Sequence, residues 1–386
     1  YEYLIIDSES GYADENGNFS SLGGTGTSHS FYTTLSGRFC RILDDAYEVA
    51  AFSTDFYGDS LNFVWHTPEF HIDQLNLYYH TNWIHSWVKN YLGYDGMDYQ
   101  MPARCNDTII SDNAYYDGRG INFAPEGSYL HELSLFAEVI YHEYTHGVTH
   151  HIYPPDGLPY EGQSGAIDEA LSDYFPCSIF DDPYMAERTF IGSPSEYMRN
   201  LHNSNRYPED FVDEVHHDGQ IISGAWWDIR GELGAGYTDS LIHYSRFLYP
   251  ATFEDFLYAT LSVDDDDGTL ENGTPNAGVI YSAYSRHGIG PENMLTISHT
   301  PLPWTEDTIN PYPVSVEITT LFGIDTAVVY YRAIHPGGTP DWNVVNLENV
   351  GGATWEGEIP PQPLGTMVQY YIYAVDIIGN SLTDPP

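Results

Sequence analysis

Apolar and polar residues recur along this chain with two different periods. From His71 to Leu92 the run HIDQLNLYYHTNWIHSWVKNYL places apolar and aromatic residues at three-to-four spacing and stops at Gly93, which predicts a helix with its own stop signal. A second helical pattern covers residues 132–152 and is broken by Pro154 and Pro155. A third begins near Ser164 and carries GAIDEALSDYF, and further helices are expected over 220–232, 239–248, 253–262 and 275–287. Ahead of them, the short β-like runs YEYLII, EVAAF and LNFVW sit among Gly, Ser and Asn clusters and predict strands joined by turns. Near residue 305 the helical period gives way to Pro-flanked alternation in VSVEITTLF, AVVYYRAI, ATWEGEI and MVQYYIYAVDIIG. That is the pattern of a small antiparallel β-sandwich. The fold class is therefore α+β.

Composition sharpens this reading. A chain of 386 residues exceeds what one hydrophobic core usually serves, so two or three folding units are expected. Asp and Glu number 56 against 12 Lys and Arg, with Lys89 the only lysine, for a net charge of −44. Such a surface repels nucleic acid and anionic membranes. The acids are scattered, which suits solubility in salt; binding of divalent cations and attraction of basic substrates are the other uses. Cys40, Cys105 and Cys177 fit neither a disulfide-dense mini-protein nor a metal knuckle. One pair could be bridged outside the cell, and the sequence does not say which. No stretch approaches the roughly 18 apolar residues of a membrane helix. The chain opens at Tyr1 without Met or a leader-like segment, which suggests a processed mature form whose leader has been removed; a secreted monomer is expected.

The candidate chemistry centres on HEYTH at 142–146. Helix positions four apart lie on one face, so His142 and His146 can offer two imidazole nitrogens to one tetrahedral ion. Glu143 sits beside them and can take a proton from a water made acidic by the metal. A third ligand is needed. Position 152 is Ile152, which excludes a histidine six residues beyond His146, and His150 and His151 read as solvated or structural. In GAIDEALSD, Glu169 and Asp173 are again four apart. Glu169 can ligate zinc, and Asp173 can accept from the far nitrogen of a ligand histidine.

HEYTHGVTHH followed by SGAIDEALSDYF resembles the gluzincin metallopeptidases, specifically the thermolysin and fungalysin group of secreted endopeptidases, over most of residues 50–290. The aminopeptidase-type gluzincins fit less well, because a GxMEN segment is absent and 22 residues separate His146 from Glu169, a longer gap than theirs. The resemblance implies a two-lobed peptidase, with a mixed β/α N-terminal lobe at 1–152 and a mainly helical lobe at 153–305. An immunoglobulin- or fibronectin-like sandwich would follow at 306–386.

It also implies further site residues. Asn113 and Ala114 in DNAYYD resemble the edge segment that pairs with an extended substrate, and Arg199 in YMRNL resembles the arginine that grips a substrate carbonyl. Tyr160 and His216 resemble the two oxyanion donors. His217 leaves a register ambiguity that stays open, and Gly219, three residues after His216, favours His216. The family's orienting carboxylate five residues earlier is replaced by Phe211, so Asp213 is the substitute. Val139 and Met198 would line an apolar pocket on the leaving-group side of the cut.

DDDDGTLENGTPN at 264–276 is familiar from fungalysin-like sequences, and Asp264 to Asp267 could hold structural calcium or form a solvated turn. The expected activity is zinc-dependent hydrolysis of proteins and peptides. Two rivals stay open: an inactive scaffold that binds through the sandwich, and an acidic structural protein without zinc.

Overall fold

The N-terminal alternation builds a mixed sheet. In the computed structural model, described over residues 2–14, 16–21, 27–66, 69–155, 157–193, 196–270, 273–291, 294–320, 322–334 and 341–385, five strands precede the first helix: β1 (Glu2–Ile6), β2 (Glu9–Tyr12), β3 (Ser28–Gly37), β4 (Cys40–Asp44) and β5 (Ala51–Tyr57). Helix α1 (Ile72–Asn90) is followed by β6 (Met101–Cys105), β7 (Ala114–Tyr116) and β8 (Ile121–Phe123). Tyr1 and Leu321, which belong to two of the expected strand runs, lie outside the described residues. The strands run in the order β2-β1-β3-β4-β6-β8-β7, with β5 also on β3. In β3 the period-two rule is plain, since His29, Phe31, Thr33 and Leu35 are buried while Ser28, Ser30 and Tyr32 are exposed. β4, β6 and β8 are parallel, whereas β7 runs antiparallel to β8 and forms the edge.

The run LNFVW does not form a strand. Side chains fix it instead. Phe63 stacks on Phe52 at 4.3 Å, and the Trp65 indole N–H donates to Glu2 at 3.0 Å. Over so short an aromatic run, alternation does not distinguish a ladder from packing.

The helical half contains α2 (Ala137–Ile152), α3 (Gly162–Phe180), the two-residue strands β9 (Tyr184–Met185) and β10 (Arg199–Asn200), α4 (Val215–Leu233), α5 (Ala235–Ser245), α6 (Phe253–Asp264) and α7 (Ala277–Arg286). The helix expected over 132–152 is divided: a 3-10 turn at Leu133–Leu135 is separated from α2 by Phe136 in extended conformation. α4 starts earlier than expected because Glu214 caps it, its carboxylate accepting the N–H groups of His216 and His217. The helix expected over 239–248 ends at Ser245 and passes into a 3-10 turn, Arg246–Leu248.

All three cysteines are unbridged and buried, so the pairing that the sequence left open is not formed. Cys40 and Cys105 lie at opposite ends of the β4–β6 pairing, where Cys40 faces Met101 and Cys105 faces Asp44.

The chain divides into two compact units, Tyr1–Phe256 and Leu257–Pro386. The second contains two four-stranded antiparallel sheets. One is β11 (Thr296–His299), β12 (Tyr312–Thr319), β16 (Thr354–Ile359) and β15 (Glu348–Gly351). The other is β14 (Asn343–Asn346), β13 (Ile324–Ile334), β17 (Met367–Asp376) and β18 (Ser381–Asp384). Val316 and Ile359 from one sheet share a core with Val329 and Ile372 from the other, the packing of a β-sandwich. β11 brings residues ahead of position 306 into that sheet.

Candidate metal centre

Three helices carry the centre. His142 and His146 sit one turn apart on α2, and α3 packs along α2 so that Glu169 faces both. α4 in turn lies close against α3. A Cβ on Gly219 would come within 2.9 Å of the Ala166 carbonyl oxygen and 3.3 Å of the Glu169 Cβ. Only glycine permits that approach without a backbone shift, and the approach brings His216, one turn earlier, beside Glu169.

His142 Nε2 and His146 Nε2 are 3.1 Å apart, and each is 3.5 Å from a carboxylate oxygen of Glu169. Tetrahedral zinc with bonds of about 2.0–2.1 Å sets its donors roughly 3.3 Å from one another. The three side chains therefore have the spacing of a zinc ligand set. Glu169 Oε2 is buried without a hydrogen-bond partner, an arrangement that a cation would satisfy. Among the described residues, His142, His146 and Glu169 form one of the few groups able to hold a metal, and their donor atoms lie within 4.8 Å of one another.

Each imidazole is held from behind by a different aspartate. Asp173 Oδ1 lies 2.8 Å from His142 Nδ1, and Asp168 Oδ2 lies 3.0 Å from His146 Nδ1. Asp173 is engaged on its other side by Arg199, through Nε and through Nη2, the latter at 2.7 Å. Burial alone would lower both histidines. Asp173 and Glu169 instead push His142 up to about 10, and Asp168 with Glu169 pushes His146 up to about 9. Burial raises Glu169, yet the two imidazoles hold it well below the usual carboxylate range. The pocket thus favours positive charge at its centre, which a divalent cation would supply in place of protons.

Glu143 is 5% exposed, and burial pushes its carboxyl above the usual range. It lines a cleft of about 640 Å³ together with the three candidate ligands. Tyr160 donates its hydroxyl to Glu169 Oε1 at 2.5 Å and lies 3.4 Å from His216 Nε2. His216 Nε2 is itself 3.4 Å from Glu169. His216 lines the cleft, whereas His217 turns its Nδ1 to Asp218 at 3.3 Å. Asn113, Ala114, Val139, Met198 and Arg199 line the same cleft, with Ala114 at the start of edge strand β7. His150 also lines it, while His151 is exposed and bonds the Gly147 carbonyl.

Two expected details change. The partner of His216 Nδ1 is Glu214, at 2.7 Å, and not Asp213, because Glu214 is the helix cap and already faces the first turn. Asp264 turns inward to accept from Thr274, at 2.6 Å, and from the Asn276 backbone and side chain, so Asp265, Asp266 and Asp267 alone form the outer acidic group. Sequence reasoning missed Asp168 and Glu214. Their only local signals were adjacency to Glu169 and an acid two residues before His216.

No family model matches the chain. Among curated proteins it is similar to a gelatinase of Enterococcus faecalis, 28% identical over 214 residues that make up 48% of this chain and 40% of that protein. It is also similar to an extracellular elastase of Staphylococcus epidermidis, 28% identical over 46% of this chain and 34% of that protein. A neutral protease of Bacillus pumilus is 27% identical over 50% of this chain and 64% of its own length. The match therefore spans about two fifths or less of the first two relatives. Among solved structures the chain is similar to the precursor of protealysin, a metalloproteinase from Serratia proteamaculans, with a TM-score of 0.50 and 14% identity over 65% of this chain and 87% of that one. Over that length the chain has the fold of this metalloproteinase precursor.

Proposed function

We propose that the chain is a zinc-dependent endopeptidase of the thermolysin-like kind, acting outside the cell as a monomer on proteins and peptides. The observation that carries this reading is the convergence of His142, His146 and Glu169 within zinc-ligand spacing, with Glu143 buried beside them in an open cleft. When bound, zinc would polarise the scissile carbonyl and acidify a water beside it.

The chain's own residues do the rest. Glu143 takes the proton from that water and hands it to the leaving amine. Tyr160 and His216 aim donors at the oxygen where negative charge develops, with Glu214 orienting His216. An extended substrate pairs with β7 through Asn113 and Ala114, and Arg199 grips a carbonyl next to the cut. Val139 and Met198 give the leaving-group side an apolar preference. We assign the peptidase lobes to residues 1–152 and 153–305, and an immunoglobulin- or fibronectin-like appendage to 306–386. Calcium at the Asp265–Asp267 turn would be structural.

The test is Glu143→Gln, assayed on a casein-like substrate with zinc content measured in parallel. Zinc should stay bound at one ion per chain while cleavage falls by about 10²–10⁴-fold. Undiminished turnover in that variant removes Glu143 from the mechanism, and a wild-type chain that takes up no zinc removes the whole reading.

A further inference from the structure

A guanidinium shut inside a protein without a carboxylate keeps its full desolvation cost. Arg246, in the 3-10 turn after α5, is 1% exposed and forms no ion pair with a carboxylate among the described residues. Its Nη2 donates to His243 Nδ1, its Nη1 lies 3.5 Å from Thr149 Oγ1, and its guanidinium carbon lies 4.8 Å from the centre of the Phe175 ring. Thr149 is on α2, three residues beyond His146, and Phe175 is on α3, six beyond Glu169. The cation is wedged between the two helices that carry the candidate ligands.

His243 does not balance it. Burial and the Arg246 charge push that imidazole down to about 2, so it is a neutral acceptor. The carboxylate whose field reaches Arg246 is Asp168. Two unsatisfied atoms match in kind. Arg246 Nε is a buried donor without an acceptor, and Asp168 Oδ1 is a buried acceptor without a donor, its other oxygen being taken by His146. The opposite side of the centre shows the completed version of the same arrangement, in which Arg199 holds Asp173 and Asp173 holds His142.

We propose that Arg246 is a positioning residue for His146. Across the packed α2 and α3 helices, through its field and one bridging water, its charge holds Asp168 in the orientation that aims His146 Nε2 at the metal. Each ligand histidine then has its aspartate, and each aspartate its arginine. The inference rests on reading His142, His146 and Glu169 as zinc ligands.

The experiment measures zinc affinity of the full chain by competition with a chromophoric chelator, and the melting temperature of the metal-free protein alongside. Arg246→Met should weaken zinc binding by about 10–100-fold, the usual cost of losing a group behind a ligand, and Arg246→Lys should recover most of it. Asp168→Asn should weaken binding too. The double variant should be no weaker than the worse single one, because both changes act along one path. Wild-type affinity in a folded Arg246→Met overturns the proposal, as do losses that multiply in the double variant. If Arg246→Met does not fold, the same cycle is run with Arg246→Gln, which keeps a donor for His243, and multiplying losses again overturn it. Zinc uptake by the wild type with variants unaffected sinks this inference alone, while a wild type that binds no zinc sinks the site as well.

Discussion

Asp173 Oδ1 stands 2.8 Å from His142 Nδ1 in a contact where both side chains are almost wholly buried. The same carboxylate also carries Arg199, which together with the histidine holds it below the usual carboxylate range against the opposing effect of burial. Asp173→Asn keeps the shape and removes the charge, leaving Arg199 buried beside a neutral amide. Zinc affinity should fall by about 10–100-fold. Unfolding free energy should fall by up to about 3–5 kcal/mol, the penalty for breaking a buried pair. Isothermal titration of zinc and urea denaturation measure the two effects separately. Unchanged zinc affinity would show that His142 is oriented by α2 alone.

Tyr160 is 57% exposed, yet its hydroxyl reaches Glu169 Oε1 at the floor of the cleft. In its proposed role as an oxyanion donor it would contribute chiefly when charge develops. Tyr160→Phe should therefore lower kcat by about 10²–10³-fold with KM and bound zinc little changed. A rise in KM alone would assign Tyr160 to ground-state binding.

Gly219 sets the distance between α3 and α4. Gly219→Ala gains about 1 kcal/mol of helix propensity, but the new Cβ would meet the Ala166 carbonyl oxygen at 2.9 Å, and that atom belongs to backbone. Overpacking of this kind costs about 1–3 kcal/mol, so the variant should be destabilised, with His216 displaced from Glu169 and activity reduced. Equal or greater stability in urea would mean that the helices part at no cost.

Glu132 carries a pH signature. Burial first, and then the neighbouring Asp73 carboxylate, push it from an ordinary 4.5 up to about 7. Because the folded state favours the protonated form, its contribution to stability is full below about 4.5 and is lost as pH rises towards 7. The urea midpoint should fall across that window, and Glu132→Gln should remove part of the fall. A variant whose pH dependence matches the wild type would place the effect elsewhere.

Some of this protein can be read from the chain alone, because the relevant physics is short-range. Spacing of four residues puts His142 and His146 on one helical face whatever surrounds them, and the alternation in β3 and β12 marks which side chains turn inward. Gly219 three residues after His216 was likewise a local sign, and its close approach to α3 gives it a physical cause.

Packing decided the rest. LNFVW alternates like a strand, but Phe63 and Trp65 take aromatic and carboxylate partners from distant segments and no ladder forms there. Phe136 interrupts the helical pattern ahead of α2, although the spacing of apolar residues runs through it. The partner of His216 is Glu214 because the helix cap, and not distance along the chain, aims that carboxylate. Asp168 and Arg246 became visible only when α2, α3 and the turn after α5 were brought together. Periodicity states which face of an element is apolar, whereas the partner of a buried charge depends on elements far apart in sequence. For that reason the candidate metal-ligating pattern was legible in the residues, and the charges packed behind it only in the folded chain.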